Sequence, residues 1–463
     1  MQQTEPIGGQ PAQGSKPSVE NLEAQVAYQR AFEAVVWSQP AVMIYGFRRG
    51  MFEGLGIKDN EVMAMSKPFT TRHEFLTANN STPYIAANAD LQNGPVVVEI
   101  PAATAKGVIY GQVVDAWQAT VADVGPSGLD KGNGGKYLFL PPGYKGDVPN
   151  GYFAVPSPTY RIAFGFRSIR LGGATDAEAN AYAKTLKMYP LSDAAKPQPT
   201  RFVDGFEKRI STLAFYDWRY FTEIYEVVSV EPVYPRDKVM MGMLASIGIE
   251  KGKPFNPSPE MKEILTRAAV DAYYYMQERF FKAQMKNLYW SDRHWSYFFI
   301  PDPNGGFSWE TDTGLFYDNR SDTYHPATYF PKTLPAKPAT AYLCGMADSE
   351  GRPLVAGKTY MLNVPKNMPV KQFWAITVYD YATWCFIYNP LERVGLSSYD
   401  KPAMKVNADD SVNLYIGPKA PEGLESNWIP TQGKRPLPCI RIYAGDEAFW
   451  DKSFKMPDLE LVK

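Results

Sequence analysis

The stretch GVIYGQVVDAWQ, residues 107–118, decides the fold class of the N-terminal half of this chain. It is a short run of β-branched and aromatic residues that begins with a glycine, which is typical of a β-strand. Three neighbouring segments have the same character and are bounded by Gly and Pro: PVVVEIP at 95–101, KYLFLP at 136–141 and TYRIAFGFRSI at 159–169. Together they predict an all-β domain built as a sandwich of two sheets.

The chain before this region has helical spacing. Apolar residues recur at three- and four-residue steps from Ser18 to about Gly56. Pro40 predicts a break in this segment, with a second helix after it, because proline removes a helical hydrogen bond. Residues 57–82 read as a loop.

The chain after it is also helical in pattern. Thr175 and Glu178 have the spacing of a capping box, which predicts the start of a helix. Helical spacing continues over 200–284. It is clearest after Ser258, which can cap a helix whose first position is Pro259.

Strand patterns return after residue 338, in segments such as KTYMLNVP, SVNLYIG and CIRIYAG. The sequence therefore predicts a mainly β protein in which two β-domains flank a mostly helical middle. The predicted segments are a disordered tail at 1–17, N-terminal helices at 18–74, a β-sandwich at 75–174, a helical segment at 175–289 and a second β-sandwich at 290–463.

Composition excludes several classes of function. The net charge is −1 and no Lys/Arg stripe occurs, so we expect no nucleic-acid partner. The sequence contains no run of eighteen apolar residues, so we predict no membrane span. The three cysteines lack metal-ligand spacing, and we interpret them as buried small apolar residues. One disulfide between two of them is the alternative.

Familiar cofactor motifs are incomplete. GRPLVAGKTYMLNV at 351–364 resembles a phosphate-binding loop, but five residues separate its glycines and a strand follows it. The glycine cluster after Asp130 lacks the Glu that would close a calcium loop. No G-x-S-x-G is present. We therefore predict no cofactor and interpret both glycine-containing stretches as turns.

Metal binding is not predicted either. The three histidines, His73, His294 and His325, include no pair at the i, i+4 spacing of a helical zinc site. A site assembled by all three from distant segments stays open. The simpler interpretation is that each makes local hydrogen bonds.

Asp115 stands out because it is a carboxylate among apolar residues on a predicted strand. Strand alternation places Val113, Asp115 and Trp117 on one face. Asp123 follows after a short apolar run and could approach Asp115, so that the two carboxylates act as acid and base or hold a cation. The alternative is a structural Asp115 that bonds a turn or pairs with an arginine.

The same segments carry a family resemblance. The strings GPVVVEIP, GVIYGQVVDAWQATVADVG and TYRIAFGFRSI resemble the bacterial family "domain of unknown function twelve fifty-four" (DUF1254). The later strings FWAITVYDYATWCFIYNPLERVGLSS and RIYAGDEAFWDKSF resemble its usual partner, "domain of unknown function twelve fourteen" (DUF1214). The resemblance covers most of residues 75–460.

This resemblance implies an immunoglobulin-like sandwich first, a jelly-roll-like sandwich last, and export to the bacterial envelope. A cytosolic location stays open, because the chain shows no leader. The family's Asn-x-x-Thr-x-Tyr segment corresponds to Asn79, Thr82 and Tyr84, and relatives often carry Asp at the position of Ser81.

Our leading interpretation is an exported enzyme that acts on a small organic or sugar-like molecule between the two sandwiches, by hydrolysis or elimination. A non-catalytic ligand-binding protein and an assembly protein are the alternatives, and a homo-oligomer stays open. The predicted site residues are Asp115 and Asp123 for catalysis and Tyr110, Trp117, Thr82, Tyr84, Arg320 and His325 for ligand binding.

Overall fold

The computed structural model describes Gly9, Pro11 and residues 14–463. The disordered tail predicted at 1–17 lies mostly outside these residues. Helix and strand account for 27% and 26% of the structure, so the fold is mixed α/β and the prediction of a mainly β protein is wrong in its proportions. Two helices of 34 and 28 residues cause the difference.

Helix α1 (Leu22–Leu55) is continuous, and the predicted break at Pro40 is therefore wrong. Every residue from 34 to 44 is buried. A proline inside a helix costs about 3 kcal/mol, and packing around this segment outweighs that cost. The Pro40 carbonyl is satisfied by the Gln118 side chain, which donates a hydrogen bond of 2.8 Å.

The N-terminal β-module contains twelve strands and one short α-helix. Its elements are β1 (Val62–Ala64), β2 (His73–Glu74), β3 (Tyr84–Asp90), β4 (Val96–Ile100), β5 (Gly107–Asp115), β6 (Thr120–Val124), β7 (Gly135–Leu140), β8 (Tyr152–Pro156), β9 (Arg161–Arg170), α2 (Asp176–Ala183), β10 (Lys187–Pro190), β11 (Phe202–Val203) and β12 (Ile210–Ser211).

These strands form a six-stranded sheet in the order β11-β1-β3-β9-β5-β6, a four-stranded sheet in the order β10-β4-β7-β8, and the pair β12-β2. The two larger sheets share an apolar cluster that contains Ile85, Val96, Phe139 and Phe164. The prediction of helix over 200–284 is wrong for β11 and β12, because two-residue strands carry no alternation that a sequence could show.

The helical middle contains α3 (Arg219–Val230), α4 (Lys238–Ala245) and α5 (Pro259–Lys286), which pack around α1. The predicted cap of α5 is confirmed, since the Ser258 hydroxyl accepts the N–H of Met261 at 3.2 Å. The capping box of Thr175 and Glu178 at α2 is confirmed as well.

The C-terminal β-module begins after α5. Its elements are β13 (Trp295–Tyr297), β14 (Glu310–Thr311), β15 (Gly314–Leu315), α6 (Tyr317–Tyr324), β16 (Thr340–Gly345), β17 (Tyr360–Val364), β18 (Val370–Asp380), β19 (Gly395–Ser397), β20 (Val412–Gly417), β21 (Trp428–Pro430), β22 (Pro436–Gly445), α7 (Glu447–Trp450) and β23 (Glu460–Leu461). A five-stranded sheet β13-β16-β22-β18-β19 and a four-stranded sheet β21-β20-β17-β23 share one core.

Three smaller predictions can be compared with these elements. The lysine of the GKT string at 357–359 is followed by β17, a strand, as expected. All three cysteines are buried and unbridged, which agrees with the apolar interpretation. No helix among the described residues is long and apolar enough to cross a membrane.

Candidate functional site

Asp115 ends strand β5 and holds the turn that follows. Its Oδ1 atom accepts the backbone N–H groups of Trp117 at 2.8 Å and Ala119 at 2.9 Å. Burial raises the pKa of this carboxyl to about 6. Trp117 lies in the turn rather than on the strand and packs on Trp37, with ring centroids 4.6 Å apart. These contacts correspond to the structural alternative for Asp115.

The cavity beside Asp115 is small. Its volume is about 20 Å³, and Arg161 and Glu231 contribute to its lining. Such a space accommodates about one water molecule and no organic substrate. Asp115 lines this cavity, and the ligand-binding role predicted for its surroundings stays a prediction.

Asp123 does not join Asp115. It lies opposite Gln112 in the β5–β6 register and accepts a hydrogen bond of 3.2 Å from that side chain. Asp115 is three residues farther along β5, which is about 10 Å at strand spacing and on the opposite face. The two carboxylates are not arranged as an acid–base pair.

Arg320 and His325 lie in the buried helical region. The Arg320 guanidinium is 5.5 Å from the Trp117 ring and donates to the Trp37 carbonyl at 2.7 Å. The His325 imidazole contacts the Gln39 side chain at 3.1 Å, and burial lowers its pKa to about 3, so the ring is neutral. Arg320 and Trp117 do meet, as expected for one site, but they meet in a packed core.

A different polar cluster lies on the six-stranded sheet. Arg167 on the central strand β9 is paired with Tyr84 on β3 and with Tyr110 on β5. Directly paired residues of neighbouring strands share a face, so the guanidinium lies between two tyrosines. It is 5.1 Å from the Tyr84 ring, and all three residues are partly buried.

The five-stranded sheet of the C-terminal module presents a matching cluster. Arg441 on β22 is paired with Tyr342 on β16, and the two lie 5.1 Å apart from guanidinium to ring centroid. Tyr443, two residues along β22, lies on the same face. We call Tyr84, Tyr110, Arg167, Tyr342, Arg441 and Tyr443 the arginine–tyrosine site.

The two halves of this site face each other across the junction of the modules. The Arg167 guanidinium of the first sheet is close enough to Tyr342 and Tyr443 of the second sheet to interact with them electrostatically. The Arg441 guanidinium of the second sheet is likewise close to Tyr84 of the first. The site is thus assembled from strands of both modules.

The loop before β3 closes the junction. The Asn79 amide donates to the Tyr443 hydroxyl at 2.9 Å, and the Ser81 hydroxyl lies 2.9 Å from the same oxygen. Arg441 Nη2 donates to the Ala78 carbonyl at 2.8 Å. Thr77, at the start of this loop, has a φ of +40°, which is uncommon for a β-branched residue; its N–H donates to the Trp384 carbonyl at 2.7 Å and its hydroxyl to the Pro326 carbonyl at 3.0 Å.

The charges of the site are uncompensated. Arg441 is only 2% exposed, and its Nε and Nη1 atoms have no hydrogen-bond partner. Across the residues that the structure describes, neither Arg441 nor Arg167 forms an ion pair with a carboxylate. The Thr82 Oγ1 atom nearby in sequence is also buried without a partner. Two positive charges and unused polar atoms fit a bound anion.

The tyrosines of the site differ in acidity. Burial acts to raise the pKa of Tyr342, but the charges of Arg167 and Arg441 bring it below the ordinary value of 10. For Tyr110 the Arg167 charge acts to lower the pKa, but burial and neighbouring tyrosines outweigh it and the pKa is raised. Neighbouring groups whose pKa values diverge in this way are suited to acid and base roles.

Two of the predicted ligand-binding residues, Tyr84 and Tyr110, lie in the arginine–tyrosine site, and Thr82 lies in the loop before β3. Their role in ligand binding stays a prediction. Arg441 was missed, although it stands between Ile440 and Ile442 on a buried strand. The argument that singled out Asp115, a charge among apolar strand residues, would have identified Arg441.

A metal centre is not apparent. Within residues 14–463, together with Gly9 and Pro11, no group of three His, Cys, Asp or Glu side chains could hold a metal ion. The predicted absence of a metal stays a prediction. The side chains of the arginine–tyrosine site are guanidinium and phenol groups, and these suit an anion rather than a metal cation.

Comparison with solved structures supports the overall fold. The crystal structure of the VPA0106 protein from Vibrio parahaemolyticus is similar with a TM-score of 0.54 and 18% identity, over 94% of this chain and 100% of that one. A putative uncharacterized protein from Burkholderia cenocepacia matches with a TM-score of 0.39 and 11% identity, over 95% and 96% of the two chains. The first likeness shows a shared fold. No curated protein matches the chain.

Family comparison assigns both β-modules, as the resemblance predicted. Residues 60–190 match the family described as protein of unknown function (DUF1254), and residues 339–447 match protein of unknown function (DUF1214). Tyr84, Tyr110 and Arg167 lie within the first match, and the remaining three residues of the site lie within the second. This chain is therefore a tandem protein with a DUF1254 domain at its N-terminal side and a DUF1214 domain at its C-terminal side.

Proposed function

We propose that this chain is an enzyme that binds a small organic carboxylate at the arginine–tyrosine site and eliminates a group from it. One observation carries the proposal: Arg167 and Arg441 converge on one junction without a carboxylate partner among the described residues. Burying an unpaired charge is unfavourable. A bound anion removes that cost, and the Arg441 Nε and Nη1 atoms, which have no hydrogen-bond partner, can each donate to it.

Tyr342 is the base in this proposal. Two neighbouring guanidinium groups hold its pKa below the usual value, so more of it is ionised near neutral pH. The same positive charges neutralise the substrate carboxylate and stabilise the negative charge that develops on it when the adjacent carbon loses its proton. Proton abstraction next to a carboxylate is the reaction that this arrangement favours.

Tyr110 is the acid. Its raised pKa keeps the hydroxyl protonated when Tyr342 is ionised. Tyr342 takes the proton from the carbon next to the carboxylate, and the C–H electron pair becomes a carbon–carbon double bond. The bond from the next carbon to its oxygen substituent breaks, and the leaving oxygen takes the proton of Tyr110.

The test offers the chain a set of carboxylates that carry an oxygen substituent on the β carbon, which is one bond beyond the carbon next to the carboxylate. Turnover is measured by the ultraviolet absorbance of the conjugated product. We expect Tyr342→Phe to lower kcat by at least about 100-fold while changing the Kd of the substrate only a few-fold. The control is Tyr388→Phe, which changes a tyrosine that is 70% exposed. Equal turnover by Tyr342→Phe and the unmodified chain would contradict the role of Tyr342.

A non-catalytic binding protein is the second candidate, and the same unpaired arginines favour it. In that case neither the unmodified chain nor Tyr342→Phe turns over any acid, and both bind anions equally. Failure of the unmodified chain to bind any carboxylate would contradict both candidates.

Other expectations remain proposals with narrower support. The DUF1254 and DUF1214 resemblance supports an immunoglobulin-like type for the first sandwich, a jelly-roll-like type for the second, and export to the bacterial envelope. A homo-oligomer is a further proposal, which sedimentation of the purified chain would test.

A further inference from the structure

Two cysteines lie directly opposite each other on neighbouring strands of the five-stranded sheet. Cys344 of β16 is the register partner of Cys439 of β22, and both side chains are buried. The structure describes both as free thiols. Whether their sulfur atoms can be joined depends on the kind of pair that the two residues form in the ladder.

The hydrogen bonds between β16 and β22 bring the two cysteines close together. The Ala444 N–H donates to the Ala339 carbonyl at 2.8 Å, so these two residues form a hydrogen-bonded pair at the end of the ladder. The two kinds of pair alternate along antiparallel strands, and Cys344 and Cys439, five pairs farther along, therefore form a non-hydrogen-bonded pair. The Cα atoms of such a pair are about 4.5 Å apart, which is within the range of about 4.4–6.8 Å that a disulfide spans.

The other neighbour of β16 agrees with this pattern. The Phe298 N–H donates to the Tyr342 carbonyl at 2.9 Å, so the backbone oxygen of Tyr342 points to the side of β13 and away from β22. Tyr342 thus forms a non-hydrogen-bonded pair with Arg441. Cys344 lies two residues farther along β16 and has the same kind of pairing.

We propose that Cys344 and Cys439 are a site of covalent modification, where a disulfide joins β16 to β22 when the chain folds in the presence of a small-molecule disulfide. One cysteine attacks the small disulfide, which gives a mixed disulfide and releases one small thiol. The second cysteine attacks the protein sulfur of the mixed disulfide and releases the other small thiol. The two cysteines lose two electrons and two protons, and the small disulfide gains them.

The surroundings of the pair indicate that this reaction belongs to folding. The Cys344 sulfur lies 3.7 Å from the Gln284 Oε1 atom of α5, so this helix covers the thiol once the chain is folded. Burial, together with the neighbouring Cys344, also raises the pKa of the Cys439 thiol. Since the thiolate is the nucleophile, the cysteines react more readily before α5 packs against the sheet.

The disulfide would hold together two strands of the arginine–tyrosine site. Tyr342 and Arg441 lie two residues from the cysteines and on the same faces of β16 and β22. The loop that the bond closes, 344–439, contains most of the residues that match DUF1214. The bond depends on the register of the two strands and not on the proposed function, and it can form in a chain that binds no carboxylate.

The experiment is cell-free synthesis of the full chain with a buffer of oxidised and reduced glutathione, and in parallel with dithiothreitol. Free thiols are alkylated after denaturation and counted by mass spectrometry. All three cysteines should be labelled in the reduced chain, whereas only Cys385 should be labelled in the oxidised chain. Peptide mapping should then recover Cys344 linked to Cys439. The oxidised chain should melt at least about 5 °C above the reduced chain, because the bond closes a long loop.

Matched variants assign the bond to its cysteines. Cys439→Ser leaves Cys344 without a partner and should give two labelled cysteines under both conditions, with equal melting temperatures. Cys385→Ser removes the third buried thiol and should give no label in the oxidised chain, with the rise in melting temperature retained. The label count and the mapped peptides of the unmodified chain test the bond even if a variant does not fold.

Three results would overturn the inference. The first is labelling of all three cysteines in the oxidised chain, and the second is a bond that includes Cys385. The third is an equal melting temperature of the oxidised and reduced chains, which would show that the bond does not hold the two strands together.

Discussion

The side-chain amide of Asn79 donates a hydrogen bond of 2.9 Å to the hydroxyl of Tyr443, across 364 residues of sequence. Asn79 precedes the first long strand of the DUF1254 domain, and Tyr443 lies near the end of the DUF1214 domain. Both groups are buried. The bond therefore ties a loop of one domain to the face of the other that carries Arg441.

Removing this bond should loosen the junction. We expect Asn79→Ala to lower the free energy of unfolding by about 1 to 2 kcal/mol, because the Tyr443 hydroxyl loses a buried donor. It should also weaken carboxylate binding, since the loop closes the arginine–tyrosine site. Urea denaturation and titration with a carboxylate measure the two effects.

The control for this variant is Asn133→Ala, which changes an exposed asparagine of the same module. It should leave both the unfolding midpoint and the affinity unchanged. If Asn79→Ala behaves like Asn133→Ala, the loop does not support the site.

Arg441→Gln should separate binding from folding. The unmodified chain gains about 2.7 kcal/mol of stability at a ligand concentration of 100 Kd, and we expect the variant to lose this gain. Its own stability without ligand should change by no more than about 1 kcal/mol, because the lost hydrogen bonds are offset by removal of a buried, unpaired charge. Thermal melts with and without carboxylate measure both quantities.

The matched control is Arg170→Gln, which changes a solvent-exposed arginine on the same strand as Arg167. It should keep the full ligand-dependent rise in melting temperature. A retained rise in Arg441→Gln would show that the anion binds elsewhere.

Asp115 should act on stability rather than on turnover. Its pKa is about 6 in the folded chain, against an ordinary value of 3.8, so the folded state binds this proton more tightly than the unfolded state. Ionisation therefore favours unfolding, and the stability contributed by the protonated form is lost as pH rises from about 4 through 6. The full shift corresponds to about 3 kcal/mol.

Asp115→Asn keeps an oxygen that accepts both turn N–H groups but does not ionise. We expect its unfolding free energy, relative to the unmodified chain, to rise by up to about 3 kcal/mol between pH 4 and pH 7.5. Turnover of a carboxylate substrate should be unchanged. Loss of turnover without a change in the pH dependence of stability would return Asp115 to the catalytic role first predicted for it.

The sequence predicted those parts of the fold whose signal is local. The strands from 95 to 169 are rich in β-branched and aromatic residues and bounded by Gly and Pro, and the cap at Ser258 is a local contact that needs no partner elsewhere. Pro40 was misjudged because its effect depends on burial by other segments, which local propensity does not contain. The two-residue strands β11 and β12 exist only through their pairing with β1 and β2.

The candidate site was harder to predict because it forms between domains. Tyr110 and Arg167 come from strands of one sheet, while Tyr342 and Arg441 come from another sheet more than 170 residues later. Strand alternation shows which residues share a face, but not which two faces meet. Asp115 and Arg441 are both charged residues among apolar residues of a strand. Only the structure shows that the Asp115 carboxylate is already bonded to a turn.

The last prediction concerns Ser81, in the loop before β3. The Ser81 hydroxyl lies 2.9 Å from the Tyr443 oxygen, so Ser81→Asp would place a carboxylate inside the arginine–tyrosine site. That charge competes with a bound anion for the two arginines, and at an effective dielectric constant of about 20 such a charge acts with energies of several kcal/mol. We expect the Kd for a carboxylate to rise at least about tenfold, and the pKa of Tyr342 to rise because a negative neighbour opposes its ionisation.

Ser81→Asn, whose side chain has nearly the same shape as that of Asp and no charge, separates the effect of charge from that of size. It should bind the carboxylate within a few-fold of the unmodified chain. Equal affinities of the Asp and Asn variants would contradict an anion site at this junction.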